Sequence, residues 1–446
     1  MSLSTIILAA GQGTRMKSDF PKVLHTIAGR PMVAYAIDTA LALGDPRPIV
    51  VVGYGADLVR AAIGDGVRYV DQTEQLGTGH AVMQTRAALT GKTGSVLVLY
   101  GDTPFVTVET LRALLDTHAQ SDATITLLTF RPSDPLRYGR IVRGGSGHVT
   151  HIAEYSEATP EQLAIREVNS GILCFRADWL WPHLDQLRPQ HGHGEYYLTD
   201  LVALAAAERK TIATREAAAD EVTGIDDRSR LAWAERQMRE RINERLMLSG
   251  VTLIDPATTY ISAEAEIGPD TTIFPGTHIW GQTRIGQHCR IGPHSILRSA
   301  TVGDHCTVEA SVLEQSTLES HVTVGPFAHL RKGAYLEQHV ELGNFAEVKN
   351  SRLGAGSKSH HFSYLGDATL GRKVNIGAGT ITCNYDGVAK HPTHIGDDAF
   401  IGSDSMLVAP VRIGARAKTG AGAVVTRDVP DDGVVYGVPA RPAPMK

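Results

Sequence analysis

No apolar run in this sequence approaches the roughly 20 residues that a membrane-spanning helix requires, which excludes helical insertion into a bilayer. The opening "MSLSTIILAAG" has no basic n-region, and its apolar stretch is too short for a signal peptide. A cytoplasmic protein is therefore expected. Cysteine is scarce: Cys174, Cys289, Cys306 and Cys383 stand far apart in the chain, with no C-x-x-C pair. That spacing points to reduced structural thiols rather than a disulfide framework or a metal centre. Positive charge is not in excess either. Forty-three Lys and Arg face 48 Asp and Glu, a net charge of −5, which argues against a nucleic-acid or anionic-membrane partner. What is present, 42% hydrophobic and 20% charged residues over 446 positions, describes an ordinary globular chain long enough for two or three domains.

The chain is written in two periods. Over residues 1–227, short apolar runs such as "TIILAAG", "PIVVVGYG" and "SVLVLYGD" alternate with amphipathic stretches such as "PMVAYAIDTALALG". Strand–helix alternation implies an α/β fold, a mostly parallel Rossmann-like sheet with helices on both faces and ligands beyond the carboxyl ends of the strands. Residues 228–250 are dense in Arg and Glu, with Leu231, Ala234, Met238, Ile242 and Leu246 at helical spacing, and read as an amphipathic linker helix. From 251 to 446 the period becomes six: Ile261, Ile267, Ile273, Ile279, Ile285, Ile291 and Leu297, then further aliphatics out to Ile395, Ile401, Leu407 and Ile413. One inward aliphatic per short strand, with a turn after each, is the pattern of a parallel β-helix solenoid. Three hexads would close one coil, and coils would stack about 4.8 Å apart. The period breaks between Ile376 and Ile395, where "TITCNYDGVAKHPTH" is inserted. Insertions in solenoids map to loops on one face, often the binding face.

Polar residues fall where the first fold would place a site. "LAAGQGTRM", residues 8–16, has glycines at 11 and 13 and Arg15 behind an apolar run. It is no Walker A loop, because no Gly-Lys-Ser/Thr follows. It is no dinucleotide fingerprint, because Met16 stands where the third glycine belongs. Gly11 and Gly13 offer unobstructed amides, and Arg15 offers a bidentate phosphate clamp. Lys22 adds a second cation, and Asp102, ending "LVLYGD", is placed to hold Mg²⁺. In the second half, His360 and His361 in "SKSHHFSYLGD" offer a base of the right range to deprotonate an amine. In an extended chain the two would point to opposite faces.

"LAAGQGTRM", "PKVLHTIAGRPM", "QTEQLGTGHAV", "YGDTPF", "YGRI", "NSGI" and "GEYYLTD" occur in order, followed by the hexads. Together they resemble the bifunctional bacterial N-acetylglucosamine-1-phosphate uridyltransferase / glucosamine-1-phosphate acetyltransferase family. The resemblance implies a left-handed coil and two activities in UDP-N-acetylglucosamine synthesis. It places Leu8, Ala9, Ala10, Gly11 and Arg15 on UTP, Lys22 on a substrate phosphate, and Gln72, Gly77 and Thr78 on uracil. Tyr100, Gly101, Asp102, Gly139, Glu154 and Asn169 would bind N-acetylglucosamine-1-phosphate, and Asp102 would share Mg²⁺ with Asp226. The family commonly shows Asn at that last position; the extra charge should favour the metal. In the second half the resemblance implies His361 as proton acceptor. Arg331, Lys349, Tyr364 and Asn375 would contact glucosamine-1-phosphate, and Ala378, Asn384, Tyr385, Ser403 and Ala421 acetyl-CoA. Gly437 stands where relatives often carry a coenzyme-binding Arg, with Arg441 four residues on. A homotrimer with the acetyl site between subunits is also implied. The alternative is a nucleotidyltransferase whose β-helix only regulates or trimerises it; His361, Tyr364 and "NIGAGTITCNYDG" speak against that, since a spacer has no need of them.

Overall fold

The computed structural model describes residues 2–89, 91, 94–189 and 194–437. The chain forms two compact units, Met1–Glu235 and Arg236–Lys446, and the helix Arg228–Leu248 contains the division.

The first unit is built on one sheet. Its central strand, Leu3–Ala9, pairs in parallel with Ile49–Val52 on one side and Ser95–Tyr100 on the other. Arg68–Asp71 extends the first side. On the other, Val168–Arg176 runs antiparallel between Ser95–Tyr100 and Ile125–Phe130, and Ile212–Glu216 closes the edge. Alternate side chains divide between the faces, as period-two geometry demands. Ile6, Val51, Val98 and Leu127 enter one buried cluster, while Ile7, Val50, Leu97 and Leu128 enter the other. Sheets buried on both faces read as continuous apolar runs, which is why "PIVVVGYG" shows no polar alternation. The chain leaves the central strand where neighbouring strands lead off in opposite directions, and such a switch point opens a crevice at the carboxyl ends.

The second unit is a three-sided parallel β-helix, whose sheets of 11, 10 and 9 strands pair each strand with the strand three positions later, except at the last pairing, Lys418 with Val434, where it is two. The coils are not uniformly of 18 residues. Glu266 pairs with Arg284 eighteen residues on, but Arg284 pairs with Thr301 after seventeen and Thr301 with Thr317 after sixteen. Single-residue corners cause the shortening. Ser299 and Gln315 turn the chain alone, in left-handed backbone at φ 49° and 45°. The core therefore runs Leu297, Val302, Val308, Leu313, Leu318, Val324, all buried, with steps of five where a corner loses a residue. The strict six-residue period misses Leu313 and Leu318 for that reason. At the insert, Ala368 pairs with Thr393, twenty-five residues on, so the extra chain leaves the coil without disturbing the stack. Leu313→Ala should cost about 2–5 kcal/mol, because neighbouring coils leave the cavity little room to collapse. Denaturant unfolding of the full chain checks it; a cost below about 1 kcal/mol would mean the solenoid relaxes freely.

Candidate functional site

In the first unit two clefts meet at one point. One, of 380 Å³, is lined by Leu8, Ala9, Ala10, Gly11, Lys22, Gln72, Gly77, Thr78, Tyr100, Asp102 and Asp226. The other, of 290 Å³, is lined by Gly139, Glu154, Asn169 and again Thr78, Tyr100, Asp102 and Asp226. Gly101 anchors the shared rim by donating its amide to the Leu8 carbonyl at 3.0 Å.

The loop after the first strand is held from behind. Gly13 lies at φ 70°, and a Cβ there would stand 2.5 Å from the Lys22 Cβ, so glycine lets the loop close on Lys22. Thr14–Met16 makes one 3₁₀ turn, and Arg228 Nε donates to the Met16 carbonyl at 3.3 Å. The amide of Ile225 donates to the Asp102 carbonyl at 3.0 Å, which ties the segment bearing Asp226 to the strand end bearing Asp102. Lys22 Nζ consequently bonds the carboxylates of both, reaching Asp226 Oδ1 at 3.0 Å. Arg15 reaches the same Asp226 oxygen at 3.2 Å and is otherwise largely exposed. Burial works against the Lys22 charge, but Asp102 and Asp226 overcome it and hold the ammonium above the usual lysine value. The pair thus presents two hard oxygen donors within reach of a single cation. That suits Mg²⁺, which takes one or two carboxylates and fills its octahedron with water and substrate phosphate. Among the described residues no group of three or more His, Cys, Asp or Glu is placed to hold a metal alone, so substrate oxygens would have to complete the shell.

The walls are set by backbone pairing. Tyr196 receives the Gly79 amide and donates its own to Leu76, both at 2.8 Å, and the Leu198 amide donates to Thr78 Oγ1 at 3.1 Å. Gln72 donates its side-chain amide to the Gly77 carbonyl at 3.0 Å. Thr199 donates to Glu154 at 2.9 Å, and Asn169 Oδ1 accepts the Gly171 amide at 3.0 Å. Burial, reinforced by the Asp102 and Glu154 carboxylates, pushes the Tyr100 phenol well above its usual value. It stays neutral and able to donate. Sequence reasoning missed Gln75 and Glu195 in the first cleft and Tyr138, Tyr197 and Thr199 in the second. Glu195, Tyr197 and Thr199 lie inside "GEYYLTD", Gln75 inside "QTEQLGTGHAV" and Tyr138 at the start of "YGRI", so each stood within a usable signal.

In the second unit the expected residues gather around one sheet face and its two corners. Strand register stacks Arg331 above Lys349, and Tyr364 above Glu347. Arg331 bonds Glu347 at 2.8 Å. Hydrogen bonding and charge from Lys390 hold the half-buried Lys349 ammonium below its usual value. Lys390, inside the insert, was not anticipated; it adds a cation where an anion would be welcome. At the preceding corner, Leu342, Ser359, Ile376, Ile401 and Thr419 are partners in successive coils. Two residues further on, His361, Ala378, Ser403 and Ala421 therefore form one column. His361 lies in this bend, not in extended chain, so the opposite-faces argument does not apply to it. His360 is separated from it differently, by bonding Glu341 at 2.7 Å. Asn375 sits one strand before the corner. Asn384 is buried and bonds Asp367, whereas Tyr385 is exposed; both lie beyond the far edge, apart from the corner column. Arg441 lies outside the described residues, and Gly437 closes them. Cys289 and Cys306, distant in sequence, are buried one coil apart, with the Cys306 amide 3.4 Å from the Cys289 sulfur.

Residues 5–200 match the family of MobA-like NTP transferase domains, and residues 264–299 and 392–427 match the bacterial transferase hexapeptide repeats. With that match the three-sided coil is a left-handed β-helix, as the resemblance implied. Over 435 residues, 97% of both chains, the sequence is 48% identical to the bifunctional protein GlmU of Exiguobacterium sibiricum. It is 50% identical to that of Pelobacter propionicus, over 96% of this chain and 94% of the relative. The GlmU of Trichlorobacter lovleyi is 48% identical over the same shares.

Proposed function

The chain belongs to the family of bifunctional GlmU proteins, and from that premise we propose how its residues divide the work. It is a bifunctional enzyme of UDP-N-acetylglucosamine synthesis. The β-helix acetylates glucosamine-1-phosphate, and the N-terminal domain then transfers UMP from UTP to N-acetylglucosamine-1-phosphate, releasing pyrophosphate. The observation that carries the first half of the assignment is the junction of the two clefts at Asp102 and Asp226. A nucleotide in the larger cleft and a sugar phosphate in the smaller one would meet there.

For uridylyl transfer, the sugar-phosphate oxygen attacks the α-phosphorus in line, a P–O bond forms, and the bond to pyrophosphate breaks. The nucleophile is already ionised, so no general base is required. Bound Mg²⁺ would neutralise phosphate charge at the Asp102–Asp226 pair. Arg15 and Lys22 bind phosphate oxygens, and Lys22 must exchange its carboxylate partners for substrate to do so. Gln72, Gly77 and Thr78 orient the base, and Tyr100, Glu154 and Asn169 orient the sugar.

For acetyl transfer, the imidazole of His361 takes a proton from the substrate ammonium. The freed amine attacks the thioester carbonyl, a C–N bond forms and the C–S bond breaks, and the remaining surplus N–H proton passes to the departing sulfur, so the coenzyme leaves as thiol. Arg331 and Lys349, with Lys390 beside them, hold the sugar phosphate. Tyr364 and Asn375 place the sugar, and the column Ala378, Ser403, Ala421 with Asn384 and Tyr385 receives acetyl-CoA. A homotrimer, with the acetyl site completed by a neighbouring subunit, is part of this reading.

Glucosamine-1-phosphate, acetyl-CoA, UTP and Mg²⁺ together should yield UDP-N-acetylglucosamine by mass. Omitting acetyl-CoA should stop the synthesis, and N-acetylglucosamine-1-phosphate should restore it; failure of that bypass would overturn the division of labour. Gly77→Ala provides a sharper test of the uracil wall. Gly77 lies at φ 95°, and a Cβ there would meet the Tyr196 carbonyl at 2.7 Å. Left-handed backbone alone costs a non-glycine residue about 1–2 kcal/mol, so the KM for UTP should rise by about tenfold or more while acetyl transfer is unchanged. An unaltered KM would place uracil elsewhere.

A further inference from the structure

One feature of the β-helix serves neither reaction. His288, His305, His321 and His339 occupy the same corner of four successive coils, each in left-handed backbone between φ 57° and 63°. Their rings form a continuous stack. Centroids are 4.9, 4.8 and 4.9 Å apart, and interplanar angles are 10°, 1° and 11°. All four are exposed. Asp270, at the same corner one coil earlier, places Oδ2 3.9 Å from His288 Nδ1.

The backbone does not demand this residue. Left-handed corners favour Gly, Asn and Asp, and this chain uses Asp270, Gly356, Asp398 and Asp432 at comparable turns. The ring spacing is the coil pitch and falls within the range of stacked aromatic pairs, so the coil repeat brings four imidazoles into one row at an exposed corner. Imidazole nitrogens are ligands for borderline transition metals.

The scaffold is rigid. The amides of His305 and His321 donate to the preceding coil at Gln287 and Asp304, at 3.0 and 2.9 Å. Co-facial rings set equivalent nitrogens about one pitch apart. Two nitrogens on one tetrahedral zinc stand about 3.3 Å apart, given Zn–N bonds near 2.0–2.1 Å. Each ring must therefore lean toward its neighbour and also turn about its side-chain torsions until the two in-plane lone pairs converge, a rotamer change open to a side chain at an exposed corner. That need to lean is why the undisturbed stack is no ready-made metal centre.

We propose that the histidine ladder is a surface site for a borderline divalent metal ion of the Zn²⁺ class, chelated between imidazoles of adjacent coils, with His305 and His321 as the central pair. Water completes the coordination shell, and a bound ion clips neighbouring coils together. The site is separate from the carboxylate pair, whose hard oxygens suit Mg²⁺.

The test is calorimetric titration of the full-length protein with Zn²⁺ alone, in wild type and in a His305→Asn/His321→Asn variant. Asn is chosen because it tolerates left-handed backbone. The wild type should bind at least one more equivalent than the variant, or bind at least tenfold more tightly, and uridylyl and acetyl transfer should be equal in the two. Superimposable isotherms would overturn the proposal. If the variant does not fold, anomalous diffraction at the zinc edge from wild-type crystals grown with Zn²⁺ decides it: a peak bridging adjacent rungs supports the site, and a ladder without one rejects it.

Discussion

Asp102→Ala should lower uridylyl transfer by roughly 10³-fold or more, the scale of losing a key electrostatic group at a reacting phosphate, while acetyl transfer continues at the wild-type rate. Asp102 lies two residues past the end of the strand Ser95–Tyr100 and, among the described residues, is one of the two carboxylates that Lys22 engages. Removing it leaves Asp226 alone to face Lys22 and Arg15, so a bound Mg²⁺ would lose one of the two carboxylates proposed to hold it, and the cations lose counter-charge. Pyrophosphate release and coenzyme thiol release, measured on one preparation, separate the two activities. Because the residue belongs to the first unit and not to the solenoid, a parallel loss of both activities would indicate misfolding. Uridylyl transfer at a normal rate with Mg²⁺ limiting would show that the metal is held elsewhere.

His361→Ala should have the converse effect, lowering acetyl transfer by about 10²–10⁴-fold, the usual contribution of a positioned acid–base group, with uridylyl transfer intact. A residual activity that climbs with pH is expected, since the amine must then lose its proton to solvent. His360→Ala is the control. Its imidazole is engaged by Glu341 at 2.7 Å, so its loss should change acetyl transfer little. If the two variants behaved alike, the base would belong to the pair or to neither.

The residues of the two clefts were differently legible. The glycine loop after the first strand could be singled out because strand, glycines and Arg15 are contiguous. Gln75 stood inside the quoted "QTEQLGTGHAV", but its place in the cleft wall is fixed by its bond to the Gln72 carbonyl, which no spacing announces. Lys390 was hidden in an insert that breaks the hexads, and its significance rests on meeting Lys349. The histidine ladder was hidden by spacing: steps of 17, 16 and 18 residues, as the corresponding strands pair, look irregular in a sequence and become a straight column only when single-residue corners take up the difference.

The sequence by itself determined the two folding grammars, since burial of each short strand or helix is a local demand that stamps its period on neighbouring residues. It also determined which side chains end strands, and hence where chemistry could lie. Only the tertiary structure decided which of these converge. Lys22, Asp102 and Asp226 are joined by the order of strands in a sheet, and coil length is set by corners whose backbone shape leaves no periodic trace. Convergence across long separations depends on how elements pack against one another, and local spacing does not encode that.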